Sequence, residues 1–136
     1  MKTLHRMLAA HPQASAHTDN LADPAHHLAL CAEVCTSCAD ACLAEPMVEE
    51  LTRCIRLNQD CADICATTSR LLLRQTATDA ALTREMLTAC ATACRLCAEE
   101  CEKHANMHEH CRICAEHCRQ CVAACERAMS SVAAVA

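Results

Sequence analysis

Between residues 24 and 130, apolar side chains and cysteines recur three and four positions apart, with charged and polar residues between them. That period marks amphipathic α-helices. Asp23 and Pro24 read as an N-cap and a first helical residue, opening a helix that runs to about residue 44. Pro46 opens a second in the same way, to about residue 75. Thr78 is placed as the N-cap of a third, which ends near residue 105. There Asn106 stands in for the missing terminal glycine, because Asn tolerates left-handed geometry. A fourth helix spans about 107–130, and the Ala/Val tail beyond it is expected to fray. Ahead of these, residues 1–10 form a short amphipathic helix with Leu4, Met7 and Leu8 on one side, and 11–22 form a linker. Long helices joined by short turns predict an all-α fold, an up-down-up-down four-helix bundle over 23–131. The short helix and linker occupy 1–22.

The cysteines carry an internal repeat. Cys31, Cys35, Cys38 and Cys42 are spaced 4, 3 and 4, and Cys90, Cys94, Cys97 and Cys101 repeat that spacing. The second helix has Cys54, Cys61 and Cys65, with Asn58 in the slot where the pattern places another cysteine. The fourth has Cys111, Cys114, Cys118, Cys121 and Cys125. At about 100° per residue, each set falls within an arc of about 60°, or about 80° in the fourth helix. Such stripes normally hold Leu, Ile and Val and face the bundle axis, so a cysteine-lined core is expected.

Composition sharpens this picture. The chain has 136 residues, no Phe, Tyr, Trp or Gly, and a formal net charge of −5. Ala, Leu, Glu, Arg and Gln favour helix, and the missing glycine argues against tight hairpins. A mixed acidic charge without aromatic platforms argues against nucleic-acid binding. No apolar run approaches the roughly 20 residues that span a bilayer. The first twelve residues contain neither an apolar h-region nor twin arginines, so a cytoplasmic location is expected.

Sixteen cysteines in a reducing compartment point to metal rather than to disulfides. Intrahelical disulfides would in any case need unfavourable geometry. Cysteine can also serve as a small buried hydrophobe, but it fills a bundle core poorly beside leucine. Ions would fill the voids it leaves. A closed tetrathiolate zinc site carries a net charge of about −2, and several such sites would bury costly charge. Cu(I) brings one positive charge per thiolate and is selected by soft sulfur. A linear S–Cu–S unit spans about 4.6 Å, within reach of an i, i+4 pair. Zinc or iron–sulfur binding, as a metal buffer or an electron carrier, is the alternative, although iron–sulfur cysteine runs differ from regular helical stripes. There is no phosphate loop, and a Cys–His pair such as Cys111 with His104 would leave fifteen aligned cysteines unexplained. Storage or sequestration of many Cu(I) ions, not catalysis, is the expected role.

The CxxxC pairs Cys31/Cys35, Cys38/Cys42, Cys61/Cys65, Cys90/Cys94, Cys97/Cys101, Cys114/Cys118 and Cys121/Cys125 resemble those of the bacterial four-helix-bundle copper storage proteins, over roughly residues 24–130. Without an export signal the likeness is to the cytosolic branch. It implies a homotetramer of bundles, each loaded with many Cu(I) ions along its axis. A copper chaperone or efflux partner would deliver or remove the metal. Asn58 departs from the pattern and removes a thiolate at its level.

An up-down bundle also gives the tube a polarity. Met47, His104, Met107, His108 and His110 gather at the end holding the first and third turns. Met47, His104 and Met107 fall on the cysteine stripes there, and all five are candidate copper contacts at a mouth. Leu28, Leu71, Leu72, Leu73, Leu82, Met86 and Leu87 gather at the other end, where Leu72 projects onto its stripe as a stopper. His27 is expected in the core near that end. Glu50 is expected to be solvated or paired. His117, about 80° from its stripe centre, is expected at the surface. His5, His11, His17 and His26 take no part.

Overall fold

A computed structural model of the chain describes residues 1–14 and 18–135. His17 and part of the expected linker lie outside the described residues. The elements are α1 (Lys2–Ala9), α2 (Thr18–Leu43), a 3-10 turn (Val48–Leu51), α3 (Thr52–Leu72), α4 (Ala80–His104) and α5 (Glu109–Val135). Among the described residues there is no strand, and no helix is long and apolar enough to cross a membrane.

The helix boundaries shift from the sequence expectation for local reasons. α2 does not begin at Pro24 but runs through it from Thr18. An interior proline forfeits one helical hydrogen bond. Here its ring is fully buried, as are Ala25 and Leu28. Pro46 does not open a helix; it sits in the turn ahead of the 3-10 segment. Asp79, not Thr78, caps α4, its carboxylate accepting from the Leu82 amide at 3.1 Å. Asp outranks Thr at this position. Asn106 is not left-handed; among the described residues only Ala77 has positive φ. The α4–α5 turn closes instead on the His104 carbonyl, which accepts from the amides of Met107 and His108 at 3.1 and 3.0 Å. The tail continues α5 to Val135 rather than fraying at residue 130.

The four long helices form a ring. α2 packs on α3 and α5, α4 packs on α3 and α5, and the diagonal pairs make no close backbone approach. Sulfur contacts fix the relative directions. Along α3 and α4, Cys54 meets Cys101, Cys61 meets Cys94 and Cys65 meets Cys90. Along α2 and α5, Cys35 meets Cys118 and Cys38 meets His110. Ascending numbers on one helix meet descending numbers on its neighbour, the order that alternating directions produce. Buried alanines, including Ala39, Ala62, Ala98 and Ala115, flank the stripes and let the backbones approach.

Leucine supplies the conventional packing. Leu28, Leu72 and Leu87 are buried together at the end away from the α4–α5 turn. Leu71, Leu73 and Met86 are half-buried there, whereas Leu82 is 55% exposed and takes no part in the stopper. It lies in the first turn of α4. Leu51, in the 3-10 turn, is fully buried at the opposite end. The segment around α1 docks on the α3–α4 connection: Leu8 is buried, and the Gln75 side chain donates to the Leu8 carbonyl at 3.2 Å.

Leu72→Ala is therefore expected to destabilise the reduced, metal-free bundle by about 2–5 kcal/mol. Urea unfolding followed by far-UV circular dichroism would measure this. The same spectra should already be strongly helical before any metal is added.

Candidate metal centre

The stripes arise because steps of three, four or seven residues keep side chains on one helical face. In the ring all sixteen thiols turn inward, and all are free and buried. Cys38 is the most accessible at 3%. Neighbouring sulfurs along one helix lie 3.8 Å apart at Cys31/Cys35, 3.7 Å at Cys61/Cys65 and 4.0 Å at Cys114/Cys118. A linear S–Cu–S unit needs about 4.6 Å, so each pair has to open by less than about 1 Å.

Sulfurs also meet across the axis. Cys31, Cys61, Cys65 and Cys94 lie within 4.8 Å of one another, as do Cys31, Cys35, Cys61 and Cys118. Cys35, Cys97, Cys114 and Cys118 form a third such group, and Cys38, Cys42, Cys54 and Cys111 a fourth. The first three groups share members, so the interior is a continuous column of sulfur rather than a row of separate four-ligand cages. Burial pushes the Cys42 thiol up to about 11, with the neighbouring Cys54 adding to the effect. At neutral pH that thiol keeps its proton until a cation displaces it.

Asn58 occupies the gap in the α3 stripe and is fully buried. Its side-chain carbonyl accepts from the thiols of Cys114 at 3.0 Å and Cys97 at 3.2 Å. Its amide donates to the Cys54 carbonyl at 2.9 Å and lies 3.4 Å from the Cys54 sulfur and 3.8 Å from that of Cys101. One carboxamide thus ties α3, α4 and α5 together at mid-height.

At the α4–α5 turn the histidines are held by carboxylates. Glu45 Oε2 lies 2.9 Å from both His108 Nδ1 and His110 Nε2. Hydrogen bonding from His110 lowers the Glu45 carboxyl from its usual range. The other nitrogen of His110 faces the thiols, 3.4 Å from Cys38 and 3.6 Å from Cys111. His108 is 8% exposed, and its Nε2 is buried without a partner among the described residues. The two rings stack at 5.5 Å. His104 Nε2 lies 3.1 Å from Glu100, a buried carboxylate that also pairs with Arg53 and Lys103. This is the arrangement that orients metal-binding imidazoles through their second nitrogen.

The expected Met contacts separate. Met107 is 62% exposed, because the turn closes over its backbone and leaves the side chain outside. Met47 is half-buried in the turn before the 3-10 segment. Glu50 is exposed. His117 is not at the surface: it is 8% exposed, donating to the His27 carbonyl at 3.1 Å, because the close α2–α5 seam buries the flank of the stripe as well as its centre. His27 is half-buried. Glu45 and Glu100 did not stand out in the sequence. Glu100 had a local signal, since it precedes His104 by one turn; Glu45 is distant in sequence from the histidines it holds.

Comparison with known proteins agrees with this geometry. Residues 17–130 match the family described as Csp, copper storage protein. A Bacillus subtilis (strain 168) relative, described as the uncharacterized cysteine-rich protein YhjQ, is 40% identical over 85 residues, which is 62% of this chain and 73% of that protein. Among solved structures, the Streptomyces lividans copper storage protein Ccsp loaded with 10 copper equivalents is similar with a TM-score of 0.91 and 45% identity, over 94% of this chain and 98% of that one. The cytosolic copper storage protein of the same organism with five coppers matches with a TM-score of 0.81 and 51% identity, over 82% and 93% of the two chains.

Asn58→Ala removes the mid-height tie and is expected to cost about 1–3 kcal/mol in the reduced, metal-free protein. Equilibrium denaturation would detect it, and an unchanged midpoint would show that the carboxamide holds nothing together.

Proposed function

The chain belongs to the copper storage protein family, and we propose that its sixteen inward-facing thiols hold on the order of one Cu(I) each. The observation that carries this reading is the continuous sulfur column. It offers soft ligands in a sealed interior, and almost no other chemistry. Each Cu(I) that displaces a thiol proton leaves the interior charge unchanged, so loading the column adds no net charge to a low-dielectric space. Zinc could close around a group such as Cys38, Cys42, Cys54 and Cys111. Overlapping groups would then compete for shared sulfurs, and each completed site would leave about −2 in the core.

In this reading the protein stores copper and does not catalyse a reaction. The metal ligands are Cys31, Cys35, Cys38, Cys42, Cys54, Cys61, Cys65, Cys90, Cys94, Cys97, Cys101, Cys111, Cys114, Cys118, Cys121 and Cys125. Asn58 lies among them as a neutral spacer whose amide hydrogen-bonds to thiolates. His104, His108 and His110 form the mouth, held in position by Glu100 and Glu45. Imidazole binds Cu(I) less tightly than thiolate, which suits transfer rather than retention. A reducing compartment such as the cytoplasm, where the related Streptomyces lividans protein is described as residing, keeps the thiols available. Assembly into a homotetramer and exchange with a copper chaperone or efflux partner complete the reading.

Anaerobic titration of the reduced protein against a chromophoric Cu(I) chelator should reach about one Cu(I) per cysteine. Metal analysis of protein purified without oxygen should find copper in excess of zinc. Saturation at four or fewer equivalents would sink the storage column. Replacing His104, His108 and His110 together with alanine should slow loading by about tenfold or more while sparing most of the capacity. Stopped-flow transfer from the chelator complex would measure the rate. An unchanged rate together with faster loading of Leu72→Ala would place the mouth at the leucine end.

A further inference from the structure

Away from the mouth, the wall between α2 and α5 contains a second arrangement of sulfur and imidazole. A ring nitrogen of His117 and the sulfurs of Cys31 and Cys121 all lie within 4.8 Å of one another, and all three residues are buried. His117 Nε2 sits 3.1 Å from the His27 backbone carbonyl. A carbonyl can only accept, so Nε2 carries the proton and the lone pair of the neutral ring resides on Nδ1. A hydrogen bond of this kind fixes the tautomer and orientation of the ring beside the sulfurs. The Cys121 thiol donates to the same His27 carbonyl at 3.3 Å.

A second observation lies beside it. The His27 ring is centred 6.1 Å from that of His117, and its Nδ1 is buried without a partner among the described residues. Its other nitrogen reaches Asp23 only at 3.6 Å. A buried imidazole nitrogen with nothing to bond is costly unless a ligand completes it. Cys31, Cys121, His117 and His27 thus lie together in the half of the bundle nearer the leucines.

We propose that Cys31, Cys121 and a ring nitrogen of His117 form a lateral Cu(I) site in the α2–α5 wall, with the His27 imidazole beside it. The ion displaces the Cys31 and Cys121 thiol protons to solvent, and two thiolates and one neutral imidazole complete a three-coordinate site. The reading rests on the storage column, since it takes its copper from the same sulfurs. It makes the deep half of the column accessible without passage along the whole axis.

The test is ¹⁵N-histidine NMR of the full chain, metal-free and anaerobically loaded with Cu(I), with copper counted in the same samples. The expected result is that one His117 ring nitrogen moves to the position of a metal-bound imidazole. Loading to about one Cu(I) per cysteine with no change at His117 would overturn the lateral site and leave storage standing. Saturation at a few equivalents would overturn both. His117→Gln preserves a donor for the His27 carbonyl but removes the ligating nitrogen. It should keep the circular dichroism and thermal midpoint of the parent, yet weaken retention of one Cu(I) equivalent by roughly tenfold or more in chelator competition. Equal retention in parent and variant would also overturn the site.

Discussion

A thiol is small and only weakly polar, and a column of them cannot fill a bundle interior as leucine does. Everything else in this fold follows from that constraint. The helices have to come close together, and the alanines beside the stripes allow it. Stability has to come from elsewhere, and the buried leucines stand at the two ends of the column, with Leu28, Leu72 and Leu87 at one and Leu51 at the other. Helix propensity carries the rest: without glycine or aromatics, long segments of Ala, Leu, Glu and Arg hold their shape with little help from the core. The interior is thereby released from the usual duty of the core and can be given over to ligands.

Most polar groups in the interior are partnered; among the described residues the buried exceptions are His108 Nε2 and His27 Nδ1. Asn58 uses both ends of its carboxamide on three helices. The turn-end histidines each have a carboxylate behind them, so their free nitrogens are aimed by the protein rather than by chance rotation. Glu100 is the costliest element, a buried carboxylate, and it is compensated by Arg53, Lys103 and His104. These arrangements give the sulfur column two chemically distinct ends, one aliphatic and one of imidazole and carboxylate.

Much of this was legible in the sequence, because helical periodicity is a one-dimensional signal. The recurring three- and four-residue spacings placed sixteen cysteines on inward faces, and of the seven residues expected at the leucine end Leu28, Leu72 and Leu87 are buried while Leu82 is exposed. What failed to read through was information carried by packing between distant segments. Pro24 signalled a helix start, but Leu21, Ala25 and Leu28 continued the apolar face across it, and burial outweighed one lost hydrogen bond. His117 lies at an angle that solvent would normally reach, and only the proximity of α2 buries it. Glu45 could not be tied to His108 and His110 before the ring order of the helices was known. Met107 projected onto a stripe only if the helix were continued through a turn that in fact ends it.

The alternating helix directions also determine where the chain can be attached to something else. The start of α2, the end of α5 and the α3–α4 connection all lie at the leucine end, and the α1 segment is docked there through Leu8 and Gln75. Among the described residues the imidazole end carries two short turns. A fusion partner, an affinity tag or a surface linker joined to either terminus would therefore extend from the aliphatic pole and leave the opposite pole facing free solution. The bundle is in this sense a one-ended vessel with its handle at the base, suited to immobilisation as an oriented layer.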